Sequence, residues 1–409
     1  MNKRNCIIGQ SGGPTVAINA SLAGIIQQAK KEGYEHIYGM INGIKGLLEN
    51  TYMDLEEAIK NDDDLHDLKT SPAMYLGSCR YKLPDQSDDP VFEQLFHKFE
   101  ELEITDFFYI GGNDSMDTVA KLSEYAKIMN SDIHFIGIPK TIDNDLMGTD
   151  HTPGYGSAAK YVASSMLEIA YDSSIYKLKS ITIVEIMGRN AGWLTAASAL
   201  ARTAYSDAPD LIYLPEVPFD QEQFLDDIAK VFEKKRSVII AVSEGIRSKD
   251  GNYLDQDSRY VKKDAFGHIL HSGTGKVLET ICFKRFKCKV RSIELNVLQR
   301  CAMHIASETD IEESFMIGSK AVGYAKDHTG VMVVIKRLSN DPYQSEAAIA
   351  DVSKIANLEH KIPVNWINDA HNDITKELYE YMYPLIQGEV NVRYHNGIPS
   401  YINIRHLEK

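Results

Sequence analysis

The sequence predicts an α/β protein with mainly parallel sheets, and three observations carry that prediction. Short, almost wholly apolar runs alternate with stretches whose apolar residues recur every three or four positions. That is the pattern of strands buried on both faces between covering helices. Glycine-rich or charged clusters begin where the apolar runs stop, which is where ligand loops of such sheets lie. The chain has 409 residues, more than an ordinary single domain holds, so two lobes are expected.

The elements follow in order. Cys6 to Gly9 reads as the first strand. Gln10 to Pro14, with two glycines and a proline, turns the chain. Val16 to Lys31 is an amphipathic helix that stops just before Gly33. Phe107 to Ile110 is a second strand closed by Gly111-Gly112, with a helix from about Met116 to Met129. His134 to Ile138 stops at Pro139, and Ile181 to Ile186, Asp210 to Leu214 and Val238 to Val242 are three more strands. An amino-terminal lobe of residues 1–150 and a second lobe of 151–340 result. Residues 341–409 read as a helical, aromatic-rich extension, with Tyr379, Tyr381, Met382 and Tyr383, that packs back or serves a subunit contact. The acidic run Asn61 to Asp67 reads as a solvated turn.

Composition excludes several classes. Lys plus Arg number 44 against 58 Asp plus Glu, a net charge of −14, so nucleic acid and anionic membranes find no bulk attraction. An anionic substrate needs a local basic cluster instead. No run of eighteen apolar residues spans a membrane, and the first residues reach glycine too soon for a signal peptide. The cysteines Cys6, Cys79, Cys282, Cys288 and Cys301 show no CxxC spacing, which suits reduced thiols in cytoplasm. No HExxH or GxSxG occurs. His134, His151, His268 and His271 read as structural or surface groups.

The polar loops hold the chemistry. In Gln10-Ser11-Gly12-Gly13-Pro14-Thr15 the glycines let a ligand approach the backbone near a helix start, although a tight turn explains them equally. In Gly111-Gly112-Asn113-Asp114-Ser115, Asp114 or Ser115 is a candidate helix cap, and Asp114 a candidate magnesium ligand. Pro139-Lys140-Thr141-Ile142-Asp143-Asn144-Asp145 is the strongest signal. Its two carboxylates share one side of an extended segment, so that one takes a proton while the other orients it or binds metal. Lys140 supplies a point charge suited to phosphate. Met187-Gly188-Arg189 and Glu244-Gly245 follow two later strands and offer a phosphate or sugar contact and a hydroxyl acceptor. Arg80, Arg291 and Arg300 are candidate phosphate clamps, with Lys287 and Lys289 enlarging the basic region around Arg291.

Taken in this order, with Ser11-Gly12-Gly13, Leu76-Gly77-Ser78-Cys79-Arg80, Ser243-Glu244-Gly245 and Leu298-Gln299-Arg300, the motifs resemble the phosphofructokinases over roughly residues 5 to 335. The resemblance implies two Rossmann-like three-layer lobes with mainly parallel sheets, the phosphofructokinase fold, and an active site in the cleft between them. Residues 1–150 would then serve mainly the phosphoryl donor and 151–340 mainly the sugar phosphate.

The likeness is greatest to the pyrophosphate-dependent branch. ATP-using relatives have glycine where Lys140 and Asp114 stand, which leaves room for the nucleotide's α-phosphate. A lysine and a carboxylate fill that room, and Ile44 replaces an aromatic that packs on adenine in many ATP users. The resemblance implies Mg²⁺ as cofactor, pyrophosphate and fructose 6-phosphate as substrates, and a homodimer or homotetramer. Asp143 would accept the hydroxyl proton and Thr141 would hold the transferred group. Lys140 would act in catalysis and in donor binding, the latter with Gly12, Gly13, Arg80, Asp114 and Ser115. Met187, Gly188, Arg189 and Glu244 would join Thr141 and Asp143 at the sugar. Arg291 and Arg300 would grip its phosphate, with Arg291 donated across a subunit interface.

The pattern also departs from the family. The usual metal-associated aspartate is Asn113 here, which supplies a carbonyl but no charge, so Asp114 or Asp145 carries more of that role. Arg300 lacks the usual accompanying histidine, Pro14 replaces an aspartate, and Lys177 or Lys179 stands in for a trans-acting arginine. The sequence leaves open an ATP-dependent phosphofructokinase, a pyrophosphate enzyme for another sugar phosphate such as sedoheptulose 7-phosphate, and a non-catalytic sugar-phosphate sensor.

Overall fold

The computed structural model describes residues 4–254, 273–356 and 358–408, and the backbone of 262–263 and 269–270. His268 and His271 lie outside the described residues. The strands along the chain are β1 (Asn5–Gln10), β2 (His36–Met40), β3 (Tyr52–Asp54), β4 (Ile104–Gly111), β5 (His134–Pro139), β6 (Ser180–Ile186), β7 (Leu211–Tyr213) and β8 (Ser237–Ser243). There follow β9 (Lys262–Lys263), β10 (Ile269–Leu270), β11 (Lys289–Glu294), β12 (Val331–Asn340) and β13 (Tyr343–Asp351). Apart from β9 and β10, which pair with each other, they build a seven-stranded sheet in the order β13-β12-β5-β4-β1-β2-β3 and a four-stranded sheet in the order β11-β6-β8-β7. The second sheet is wholly parallel. The first is parallel except at its edges, where β3 and β13 run antiparallel.

Both sheets are covered on both faces, as the apolar runs require. In β1 and β4, Ile7, Phe107 and Tyr109 enter one buried cluster with Phe99 and Leu122. Their neighbours Ile8, Phe108 and Ile110 enter another with Ile25 and Ile317. Successive strand side chains point to opposite faces, so a fully buried strand needs apolar residues at every position.

The structure redraws the boundaries. The helix Glu308–Tyr324 crosses the helix Ile18–Glu32 closely: a Cβ on Gly24 would stand 2.2 Å from the Phe315 carbonyl oxygen, and one on Gly318 would stand 2.1 Å from that of Ser21. With β12 beside β5, the stretch from 308 to 340 thus joins the amino-terminal sheet and not the lobe begun at 151. The extension after 340 opens with β13, and among its described residues the one α-helix is Lys376–Met382. The run Val331–Ile335 is five apolar residues, three of them valines, a strand signal that could have found this hairpin.

Two local readings also change. The acidic run 61–67 is a helix, Asp62–Lys69. Asn61 caps it by accepting from the Asp64 amide, and its acids lie at the positive end of the helix dipole. The helix after β4 begins at Asn113 behind Gly112, with no side-chain cap. Asp114 and Ser115 therefore sit in its first turn and do not cap it.

Candidate active site

Parallel pairing brings the loops together. Gly111 of β4 is in register with Pro139 of β5, the Lys140 amide donates to the Gly111 carbonyl at 2.9 Å, and the Ser11 amide donates to the Ile110 carbonyl at 3.0 Å. Three loops thus leave adjacent strand ends side by side. A fourth is tied on by side chains: Ser11 Oγ donates to the Cys79 carbonyl at 3.0 Å, and Ser78 Oγ to that of Gly12 at 2.7 Å. From the second sheet, Ile186 pairs with Ser243, and Ser243 Oγ donates to the Gly188 carbonyl at 2.6 Å. These loops face one cleft of about 660 Å³, large enough for small-molecule substrates.

Lys140 enters the cleft from the end of β5. Only 2 % of it is exposed, and its Nζ donates to the Gly13 carbonyl at 2.5 Å. Gly12 has φ +83°, a left-handed conformation that favours glycine, and a Cβ there would stand 3.2 Å from that ammonium. Gly13 faces Arg300 in the same way, at 3.5 Å from its Nη1. Burial draws the Lys140 pKa down to about 7 against the pull of Asp143.

The carboxylates are shifted in the opposite sense. Burial raises Asp143, although Arg189, Lys140 and Arg300 oppose the shift. Burial raises Asp145 as well, with Asp143 adding to it. Thr141 Oγ1 accepts from the Asp143 amide at 3.1 Å and also hydrogen-bonds the Asp145 side chain. From the second sheet, Glu244 accepts from the Gly188 amide at 3.4 Å and lies 3.8 Å from Arg189 Nε. Burial, with Asp143 behind it, raises Glu244 to about 8. Shifts of this kind, clustered in one cleft, are characteristic of functional sites.

The cleft collects Gly12, Gly13, Arg80, Asn113, Asp114, Ser115, Lys140, Thr141, Asp143, Asp145, Met187, Arg189, Glu244 and Arg300, with Gly188 just behind Glu244. Arg291 is not among its lining residues. It sits in β11, the edge of the second sheet, opposite Thr182 near the start of β6, and pairs with Asp172 at 3.4 Å. Lys177 and Lys179 precede β6, so they too lie at the end of that sheet away from Met187; Lys179 stacks its ammonium 4.9 Å over Phe232. Ile44 is wholly buried in the core and is not among the residues lining the cleft.

The chain matches the phosphofructokinase family model ("Phosphofructokinase") over residues 5–322. The chain belongs to the phosphofructokinase family. Among phosphofructokinase relatives, a pyrophosphate--fructose 6-phosphate 1-phosphotransferase of Xanthomonas campestris is 37 % identical, over 100 % of this chain and 97 % of that one. The enzyme of the same name from Halomonas elongata is 36 % identical, over 98 % of this chain and 96 % of that one. A crystal structure of a pyrophosphate-dependent phosphofructokinase from Nitrosospira multiformis superimposes with a TM-score of 0.88. It has 35 % identity and covers 98 % of this chain and 96 % of its own.

Viewed as a phosphofructokinase cleft, the loops after β4 and β5 offer side-chain oxygen ligands. The side-chain oxygen of Asn113 is buried with no hydrogen-bond partner, and Asp114 and Asp145 line the same cleft. Among the described residues no three His, Cys, Asp or Glu converge on one point. Two carboxylates and an amide oxygen in one cleft fit Mg²⁺, which is held by one or two carboxylates together with substrate phosphates and water.

The residues missed from the sequence come from the extension. Leu146 forms a β-bridge with Glu359, and the His360 amide donates to the Asp145 carbonyl at 2.8 Å. Asn190 donates to Glu359 at 2.7 Å. The segment around Glu359 thus joins the Asp143 loop to the Arg189 loop. No local pattern marks it, because its role is set by partners some 170 to 210 positions earlier.

Proposed function

We propose that the protein is a pyrophosphate-dependent phosphofructokinase. It transfers one phosphoryl group from pyrophosphate to the 1-hydroxyl of fructose 6-phosphate, giving fructose 1,6-bisphosphate and phosphate. The observation that carries this reading is the buried Lys140 ammonium against the Gly12–Gly13 loop. A compact dianion finds a charge there, whereas a nucleotide finds its path filled. The full-length relatives of that name support the same reading.

In the proposed reaction Asp143 takes the proton of the 1-hydroxyl as its oxygen attacks the near phosphorus, and the bond to the departing phosphate breaks. The raised pKa of Asp143 suits a base working near neutral pH. Lys140 and Arg80 stabilise charge on the transferring and leaving groups, and Thr141 holds the group in flight. Ser115, Gly12 and Gly13 line the donor. Met187, Gly188, Arg189 and Glu244 orient the sugar, and Arg300 binds its phosphate. Asp114 and Asp145, with the Asn113 side-chain carbonyl, would hold Mg²⁺, which would supply charge neutralisation to the phosphates. The exposed edge strand β11 suits a homo-oligomer, dimer or tetramer, in which Arg291 of one copy reaches the cleft of another. Five unpaired cysteines and the lack, among the described residues, of any helix long and apolar enough to cross a membrane accord with a cytoplasmic enzyme.

The deciding experiment offers purified protein fructose 6-phosphate and Mg²⁺ with either pyrophosphate or ATP, and follows fructose 1,6-bisphosphate. Turnover with pyrophosphate at least ~10²-fold above that with ATP is expected on the scale of a lost oriented phosphate contact. Turnover with ATP alone would overturn the reading.

A further inference from the structure

Between the two carboxylates of the catalytic loop stands Asn144, wholly buried and in the left-handed region at φ 54°. Its side chain is used on both sides. Oδ1 accepts from the Thr152 amide at 2.9 Å, and Nδ2 donates to the Tyr381 hydroxyl at 2.9 Å. That hydroxyl in turn donates to the Asp150 carbonyl at 2.7 Å, while Thr152 Oγ1 donates to the Thr141 carbonyl at 2.8 Å. One phenol therefore accepts from one part of the loop 141–152 and donates to another. It belongs to the short helix Lys376–Met382 of the carboxyl-terminal extension.

Tyr381 is itself firmly held. Its ring centroid lies 5.2 Å from that of Trp193 and 5.5 Å from that of Trp366. The Arg337 guanidinium lies 4.6 Å above the ring, and Arg337 also donates to the Tyr381 carbonyl at 2.9 Å. The hydroxyl is thus presented at a set place, and Tyr381 is not among the residues lining the cleft.

We infer that Tyr381 is a positioning residue for catalysis: its hydroxyl holds Asn144, and through it sets the placement of the Asp143 and Asp145 carboxylates. The inference rests on the phosphoryl-transfer reading above. A phenylalanine keeps the ring packing but leaves a buried amide donor and a buried carbonyl without their partner. The loop then relaxes, and small displacements of a reacting group slow chemistry far more than they weaken binding.

The test is Tyr381→Phe, with kcat, both KM values and Tm compared to wild type. Tyr34→Phe is the control, since it removes a tyrosine hydroxyl that donates to Asp106 at 2.9 Å, near the start of β4 and away from the cleft. Tyr381→Phe should lower kcat by about 10- to 100-fold with both KM values within about threefold. Tyr34→Phe should lower Tm comparably and leave kcat within about twofold. Asn144→Gly, which tolerates the backbone conformation, should show the same loss selective for kcat, and adding Tyr381→Phe to it should cost little more. A Tyr381→Phe enzyme with kcat within twofold of wild type overturns the inference. If that variant does not fold, Asn144→Gly with an unchanged kcat does so. Wild-type turnover with ATP alone would sink the donor assignment, and the kcat ratio read with ATP would still decide the role of Tyr381.

Discussion

The Lys140 ammonium lies 2.5 Å from the Gly13 carbonyl oxygen, so a side chain rooted at the end of β5 closes the space beside the loop that leaves β1. The two residues are 127 positions apart, and the parallel order β1-β4-β5 makes them neighbours. The amine is thereby held where burial draws its pKa down to about 7, so a ligand that brings negative charge favours its charged form.

Removing that cation should hurt the small donor. Lys140→Gly is expected to lower kcat/KM for pyrophosphate by at least ~10²-fold, the scale for one lost electrostatic contact to a transferring group. Adding Asp114→Gly removes the second obstruction, and the double variant should raise the ratio of ATP to pyrophosphate turnover. Steady-state rates with each donor check this; a ratio equal to wild type would show that these side chains do not select it.

Asp143→Ala should reduce turnover by at least ~10²-fold, as general-base help is lost. Its stability should hold or rise, because Asp143 raises both Asp145 and Glu244 by repulsion. Rates and Tm on one preparation separate the two effects. A large fall in Tm would mean that the carboxylate serves the fold.

Pyrophosphate affinity should depend on pH through Lys140. Its pKa of about 7 in the free protein leaves it mainly neutral above that value, yet an anion favours the charged form. Binding above pH 7 therefore takes up a proton, and affinity falls by up to about tenfold per pH unit, the limit for one linked proton. Calorimetry in buffers of different ionisation enthalpy measures the uptake. Lys140→Met should lose this component and keep only the titration of pyrophosphate itself.

His151 should make stability pH-dependent. It is buried between Asp150 at 2.8 Å and Glu313 at 2.7 Å. Burial disfavours its charge, but the two carboxylates prevail and raise it from 6.5 to about 9. The folded value exceeds the unfolded one, so the stabilisation is complete below pH 6.5 and disappears as pH rises to 9. Its size is on the order of 3 kcal/mol. Denaturant melts across that window test it, and His151→Gln should flatten the slope.

The strand-end motifs were legible because each is a local event. Gly12-Gly13, Lys140 to Asp145 and Met187-Gly188-Arg189 each follow an apolar run, and parallel strands send such runs to one end of a sheet. The helix at Asp62–Lys69 was also written locally, in Asn61 and the acids after it, but a charge-rich stretch with little apolar patterning was taken for a turn. Strand β12 was missed for a different reason. Its apolar half reads as a strand, but nothing in it names β5 as its neighbour, nor the amino-terminal sheet as its home.

Residue type and order along the chain were enough to mark Asp143, Lys140 and Asp114 and the chemistry they suit, since charge and bulk belong to a side chain wherever it folds. Which groups share the cleft was a matter of packing in space. Arg300 reaches it and Arg291, nine residues earlier, does not, because a sheet edge and a turn separate their directions. Tyr381 reaches the Asp143 loop across 237 positions from Asn144, a contact that exists only once both lobes have formed.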